Sequence, residues 1–148
     1  MLFQWTALSP GQFRLLKKRR PLPDGQLSYE LYTATAQRAP LYAVVSYTRS
    51  SAPKDQPVLV NGRTLTVSKC AYTALQEATD LGECDYFWID CLSIHESDAE
   101  EKARQERALE GIYGAADCVY ICQGSSEEVP EVPAIDRKTR VVVLRHSL

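Results

Sequence analysis

Three short apolar runs, separated by segments with helical spacing, constrain the fold of this chain most. The runs are 42–47, 86–89 and 118–122, and each contains β-branched or aromatic residues. Nearly continuous apolar runs of this length are typical of strands covered on both faces. Strand, helix, strand, helix, strand is the order that produces right-handed parallel crossovers. The sequence therefore predicts an α/β fold with a mostly parallel central sheet.

The segments between the runs supply two helices. Ala residues and Leu75 recur at helical spacing over 71–78, and Gly82 is placed to end that helix in the left-handed conformation. Ser97 is followed three residues later by Glu100, which predicts a capping box at the start of the second helix. Its apolar stripe consists of Ala108, Leu109, Ile112, Tyr113 and Ala116.

Further strands are expected on either side of this core. The apolar stretch from Phe13 to Leu16 and the alternation of Leu27, Tyr29 and Leu31 predict N-terminal strands within 12–34 at an edge of the sheet. Residues 140–145 predict a C-terminal strand. Asn61-Gly62 between apolar residues predicts an antiparallel hairpin with a type I′ turn. No internal repeat is present, so we expect a single domain over 1–148 with its core at 40–124.

Composition and charge exclude several classes of protein. Lys plus Arg is 17 and Asp plus Glu is 19, so the net charge of -2 predicts binding neither to nucleic acid nor to membrane surfaces. No apolar run is long enough to span a bilayer. The five cysteines are odd in number and lack C-x-x-C spacing, which favours reduced thiols over a disulfide framework or a metal site. With no secretion signal pattern, a cytoplasmic protein is expected.

The candidate site follows from the sheet itself, because open α/β sheets bind ligands beyond the carboxyl ends of their strands. The polar residues predicted at this rim are Ser46, Tyr47, Arg49, Asp90, Ser93, His95, Glu96, Gln123 and Gly124. Glu101 and Gln105 join them, since they lie on the buried stripe of the second helix and need a partner or a cleft.

Structural roles remain open for the same residues. Glu101 also suits the first turn of a helix, where a carboxylate is favoured by the helix dipole. Asp90 and Ser46 also suit local bonds to loop backbone, and His95 suits an exposed loop. The chain has no G-x-S-x-G, no phosphate-binding loop and no G-x-G-x-x-G, which disfavours serine hydrolases, nucleotide hydrolases and dehydrogenases.

The sequence motifs resemble those of a known family, the fungal heterokaryon-incompatibility (HET) domain. Its Tyr-x-Ala-Leu-Ser-Tyr block, Asn-Gly hairpin, Ala-Leu helix, Trp-Ile-Asp strand and Ile-Tyr motif occur here in order. The corresponding stretches are Tyr42 to Ser50, Val60 to Gly62, Ala74-Leu75, Trp88 to Asp90, Ser93 to Glu96, Glu101-Lys102, Gln105-Glu106 and Ile112-Tyr113. The chain departs from the family where Trp-Gly is Arg49-Ser50 and where Cys-Ile-Asn-Gln is Ser93 to Glu96.

The resemblance implies a flavodoxin-like or TIR-like fold and a cytoplasmic role in self/non-self recognition or programmed cell death. Three functions follow from it as expectations. The first is a signalling module that acts through protein partners or self-association. The second is a TIR-like enzyme that cleaves NAD, with Glu101 or Glu96 as the essential carboxylate. The third is an inactive decoy or regulator of full-length HET proteins.

Overall fold

One eight-stranded mixed sheet organises the computed structural model, which describes residues 3–48, 53–123, 133 and 139–145. The strands are β1 (Gln12–Lys18), β2 (Ser28–Thr35), β3 (Tyr42–Tyr47), β4 (Lys54–Val60), β5 (Arg63–Ser68), β6 (Tyr86–Trp88), β7 (Cys118–Gln123) and β8 (Arg140–Arg145). The helices are α1 (Lys69–Asp80), α2 (Asp90–Ser93), α3 (Ala99–Arg107) and α4 (Leu109–Ala115). Across the sheet the strand order is β5-β4-β2-β1-β6-β3-β7-β8.

The predicted core strands lie side by side and point the same way. β3 is central and pairs in parallel with β6 on one side and with β7 on the other. β8, at the position of the predicted C-terminal strand, adds in parallel to the far side of β7. All residues from Tyr42 to Ser46 are buried, which explains the continuous apolar run of β3. The α/β class and the mostly parallel central sheet are thereby confirmed.

The prediction that the N-terminal strands lie at an edge of the sheet is wrong. β1 pairs antiparallel with both β2 and β6, so it joins the parallel strands to the rest of the sheet. Leu15 and Leu16 point to opposite faces, yet both are 0% exposed. Such burial requires cover on both faces and favours the middle of a sheet. In the described part of the chain, β5 and β8 are the edge strands.

The predicted hairpin is confirmed in position and turn type. β4 and β5 pair antiparallel with Val60 opposite Arg63, which leaves a two-residue loop. Asn61 has φ of 53° and Gly62 has φ of 75°. Positive φ at both central residues defines a type I′ turn, and asparagine and glycine are the residues that adopt it at least cost.

Helices cover both faces of the sheet and divide the core into two clusters. α1 packs on β3, β4 and β5 and buries Leu75 in the same core cluster as Val45 and Phe87. α4 covers the opposite face, where Ile112 and Trp88 belong to the second cluster. A helical layer on each face is the arrangement expected for a mostly parallel sheet. Among the described residues, no helix is both long and apolar enough to cross a membrane.

The ends of the helices agree with the predictions in one case and correct them in another. Gly82, with φ of 68°, follows α1 as predicted. The capping box at Ser97 and Glu100 is wrong, because Asp98 caps α3 through a carboxylate that accepts from the Glu101 amide at 3.1 Å. The Ser97 hydroxyl instead bonds Nε2 of the nearby imidazole, and aspartate is as strong a cap as serine.

The predicted apolar stripe belongs to two helices. The helical segment is interrupted at Ala108, a turn residue whose φ of -92° and ψ of 0° depart from regular α-helical values. Glu101 and Gln105 are therefore on α3, whereas Ile112 and Tyr113 are on α4. All four are buried, but Ala108 is exposed.

Candidate functional site

The antiparallel direction of β1 brings an unexpected residue to the carboxyl ends of the parallel strands. Leu16 pairs with Phe87, so Arg14 lies beyond the end of β6, beside the short helix α2 that ends at Ser93. Arg14 is 1% exposed. An arginine this deeply buried requires a carboxylate partner, and the rim supplies one.

Glu101 is that partner. Arg14 Nη1 donates to Oε2 at 2.7 Å and Nη2 donates to Oε1 at 2.6 Å, which is a bidentate ion pair. The His95 amide donates to Oε2 at 2.6 Å, and Arg14 Nη1 also donates to the Ser93 carbonyl at 3.2 Å. The predicted need of Glu101 for a partner is met by a group that the sequence analysis did not assign to the site.

The electrostatics of this pair favour the ionised carboxylate. Burial by itself raises the pKa of Glu101, but the hydrogen bonds from Arg14 and from the His95 amide outweigh it, so the pKa lies below its ordinary value of 4.5. Ligand atoms of His95, Asp98 and Glu101 lie within 4.8 Å of one another, which is metal-like spacing. The guanidinium of Arg14 already neutralises Glu101 and repels a cation, so the donor set fits an ion pair better than a metal.

Gln105 lies at the same end of the sheet, and one of the two polar atoms of its side chain has a hydrogen-bond partner. Its Nε2 donates to the Gln12 carbonyl at 2.9 Å, while its buried Oε1 has no hydrogen-bond partner among the described residues. A pocket of about 70 Å³ lies beside it, lined in part by Phe13, Glu101 and Arg104. Small-molecule sites usually exceed about 300 Å³, so this pocket has room for water and not for a nucleotide.

Tyr47 and Asp90 form a second contact at the rim. The Tyr47 hydroxyl donates to Asp90 Oδ1 at 2.9 Å. Burial raises the pKa of Tyr47 well above its ordinary value, and it raises that of the neighbouring Cys91 thiol to about 12. Cys91 is therefore a protonated thiol and a poor nucleophile at neutral pH. This cluster is suited to holding the start of α2 on β3.

Replacing Tyr47 with phenylalanine tests that structural role. We expect the free energy of unfolding to fall by about 1.5 kcal/mol, because a hydrogen bond to a carboxylate is lost without a change in ring packing. Urea denaturation measures it. Tyr32→Phe, on an exposed ring, is the matched control and should change stability by less than about 0.5 kcal/mol. Equal effects of the two substitutions would contradict the assignment.

The remaining predicted residues do not form one cleft. Ser46 points to the opposite face from Tyr47, and its hydroxyl lies 2.8 Å from that of Tyr113. Glu96 is exposed in the loop before α3. The structure places β7 to Gln123, whereas Arg49 and Gly124 lie outside the described residues.

Two residues at this site were missed in the sequence analysis. Arg14 carried a usable signal: it is a charge inside the apolar run Phe13 to Leu16, and such a charge needs an opposite charge nearby. Trp5 carried none, because it lies in a segment without periodicity. Its ring stacks on His95 with centroids 4.9 Å apart, and the Arg14 guanidinium lies 4.8 Å from its centroid.

Comparison with known proteins identifies the family. The family model described as "Heterokaryon incompatibility protein (HET)" matches residues 42–147. No curated protein and no solved structure matches the chain. The flavodoxin-like or TIR-like subclass therefore stays a prediction. The matched segment runs from β3 through β8, includes Tyr47, Asp90 and Glu101, and covers more than half of the 148 residues. The chain therefore belongs to the heterokaryon incompatibility (HET) family.

Proposed function

We propose that this HET domain acts in fungal self/non-self recognition or programmed cell death, in the cytoplasm, through contacts with other proteins or with copies of itself. The family suggests involvement in heterokaryon incompatibility. A signalling role through contacts requires a surface that another chain can bind. The proposal rests on one such surface, the edge strand β8.

The observation that carries the proposal is the apolar, exposed face of β8. Val141 is 44% exposed and Val143 is 52% exposed. They lie opposite Val119 and Ile121 of β7, which are buried in the second core cluster. The apolar face of the sheet thus continues past its helical cover. An apolar edge strand also offers backbone groups to a further strand, and proteins usually protect such edges.

The rim supports protein contacts over NAD cleavage. Both carboxylate oxygens of Glu101 accept hydrogen bonds from Arg14, and the residue is 3% exposed. Because the guanidinium of Arg14 neutralises Glu101 and bonds both of its oxygens, this carboxylate is poorly suited to act as the essential group of an NAD-cleaving enzyme. At the second contact of the rim, the Tyr47 hydroxyl donates a single hydrogen bond to Asp90. A decoy or regulator of full-length HET proteins would use the same contact surface.

The test replaces the exposed valines of β8 in a domain fused to an inducible oligomerisation module. We expect the unmodified fusion to kill a fungal cell or to suppress killing by a full-length HET protein. Val141→Lys with Val143→Lys should abolish that effect and weaken association at least tenfold, because each lysine places a charge in an apolar contact. Viability counts and sedimentation velocity measure the two effects.

The matched control is Thr64→Lys with Thr66→Lys on β5, the other edge strand, where both threonines are exposed. It adds the same charge and should leave both effects unchanged. If the unmodified fusion neither kills nor suppresses killing, and does not associate, the proposed function is wrong. If it acts but the β8 variant acts equally well, contacts through β8 are excluded. Nicotinamide release that depends on Glu101 would favour the NAD-cleaving enzyme instead.

A further inference from the structure

The segment Phe3–Leu8, which we call the covering segment, lies over the Arg14–Glu101 pair. The Arg14 guanidinium faces the ring of Trp5 and donates from Nη2 to the Thr6 carbonyl at 2.6 Å. Phe3 braces the same ring edge-on, with centroids 5.0 Å apart. The segment supplies the cover that keeps the ion pair out of water.

The attachment of the covering segment is local. It contains no helix or strand, and among the described residues no backbone–backbone hydrogen bond joins it to the sheet. It is connected to β1 by a turn in which the Gln12 amide donates to the Ser9 carbonyl at 3.1 Å. Gly11, at φ of 83°, gives this turn a conformation that other residues rarely adopt. The side chains of Phe3, Trp5 and the buried Leu8, together with the Thr6 carbonyl, therefore carry the attachment.

Two opposing effects act on the covering segment. Its aromatic contacts and its hydrogen bond to Arg14 favour the closed position. Closure also removes water from an ionised pair, which opposes it, and Arg14 Nε is left buried without a partner among the described residues. These effects oppose each other, and segments with few backbone hydrogen bonds generally open at a lower free-energy cost than the core of a sheet.

We propose that the covering segment is a lid, held by Trp5, that opens while the sheet stays folded and so controls access to the Arg14–Glu101 pair. The uncovered surface presents an imidazole, a guanidinium and a carboxylate. It is complementary to a peptide in which an aromatic residue precedes a main-chain carbonyl acceptor, which is what Trp5 and Thr6 themselves provide. The lid is then an intramolecular occupant of a peptide-binding surface.

Native-state hydrogen exchange on the full chain tests the lid without reference to cell killing. The reporter is the His95 amide, which donates to Glu101 beneath the lid, and the references are the amides of Val44 and Trp88 in the central strands. In the unmodified protein, the His95 amide should exchange faster than the references and independently of low urea. Trp5→Ala should accelerate it at least tenfold and leave the references unchanged.

Two other outcomes of the exchange experiment would contradict the proposed lid. If Trp5→Ala accelerates His95 and the references by the same factor, Trp5 is part of the cooperative core. If His95 does not respond, Trp5 does not cover it. The matched control is Tyr32→Ala, which removes an aromatic ring that packs edge-on against Tyr86 and should leave His95 exchange unchanged relative to the references.

A peptide added in trans tests the binding surface. Phe-Gln-Trp-Thr-Ala-Leu, the sequence of the covering segment, is titrated into the full-length Trp5→Ala variant. We expect it to slow His95 exchange back towards the unmodified rate in a saturable manner. The same peptide with alanine in place of tryptophan should have no effect. Failure of the first peptide, or equal action of the two, overturns the peptide-binding surface.

Discussion

Glu101→Ala is expected to lower the free energy of unfolding by about 3–5 kcal/mol, since it leaves the buried guanidinium of Arg14 without its carboxylate. Arg14 is 1% exposed and makes a bidentate pair with Glu101. Water cannot replace the missing partner unless the surrounding structure opens. The loss is a large fraction of the roughly 5–15 kcal/mol that stabilises a typical domain. Urea denaturation monitored by circular dichroism measures it.

Two variants separate the ion pair from a general effect of substitution in α3. Glu100→Ala changes the exposed neighbour in the same first turn, and it should cost less than about 1 kcal/mol, the usual limit for a helix-dipole contact at the surface. Arg14→Met with Glu101→Leu removes both charges and should recover most of the stability lost by Glu101→Ala. A double variant as unstable as Glu101→Ala would show that packing, and not the unpaired charge, causes the loss.

Arg14→Met is expected to destabilise the protein by a similar amount near neutral pH and to change how stability depends on pH. In the unmodified protein, the pKa of Glu101 is lowered from 4.5. Its contribution is therefore fully present above about pH 4.5 and is lost as the pH falls through the lower, folded-state value. Without Arg14, burial dominates and raises the folded-state pKa above 4.5.

In the Arg14→Met variant, the effect of Glu101 protonation on stability therefore has the opposite sign. A buried glutamate with a raised pKa takes up a proton on folding, so its contribution to the stability of the variant increases as the pH falls through the raised pKa. The contribution of Glu101 to the unmodified protein is constant above about pH 4.5. The difference in unfolding free energy between the two proteins should narrow by about 1.4 kcal/mol for each pKa unit of upward shift. Urea denaturation at several pH values between about 4 and about 8 measures how the difference in unfolding free energy narrows.

Arg104→Met is the matched control, because Arg104 is an exposed arginine of α3 at the edge of the same pocket. The stability difference between this variant and the unmodified protein should not narrow with falling pH. If the difference in unfolding free energy between Arg14→Met and the unmodified protein also stays constant as the pH falls, then Glu101 keeps its low pKa without the guanidinium. The His95 amide would then be its dominant partner.

Local sequence patterns determined the elements of the central sheet and one of its turns. The apolar run Tyr42–Tyr47 specified a strand buried on both faces, since side chains alternate between faces and both had to be apolar. Asn61 and Gly62 specified the hairpin, because the backbone strain of a type I′ turn is a property of those two residues alone. The order of the sequence motifs was sufficient to indicate the HET family.

Which elements meet was decided by the tertiary structure. Arg14 and Glu101 are 87 positions apart, and their patterns state only that each needs a partner. They meet because β1 lies between β2 and β6 and runs antiparallel to the parallel strands, which places its first residues at their carboxyl ends. The choice of Asp98 over Ser97 as the cap of α3 has the same origin, since it depends on which nearby group each side chain finds. Periodicity reports the faces of one element, whereas pairing, strand order and covering contacts depend on free-energy differences between whole arrangements of the chain.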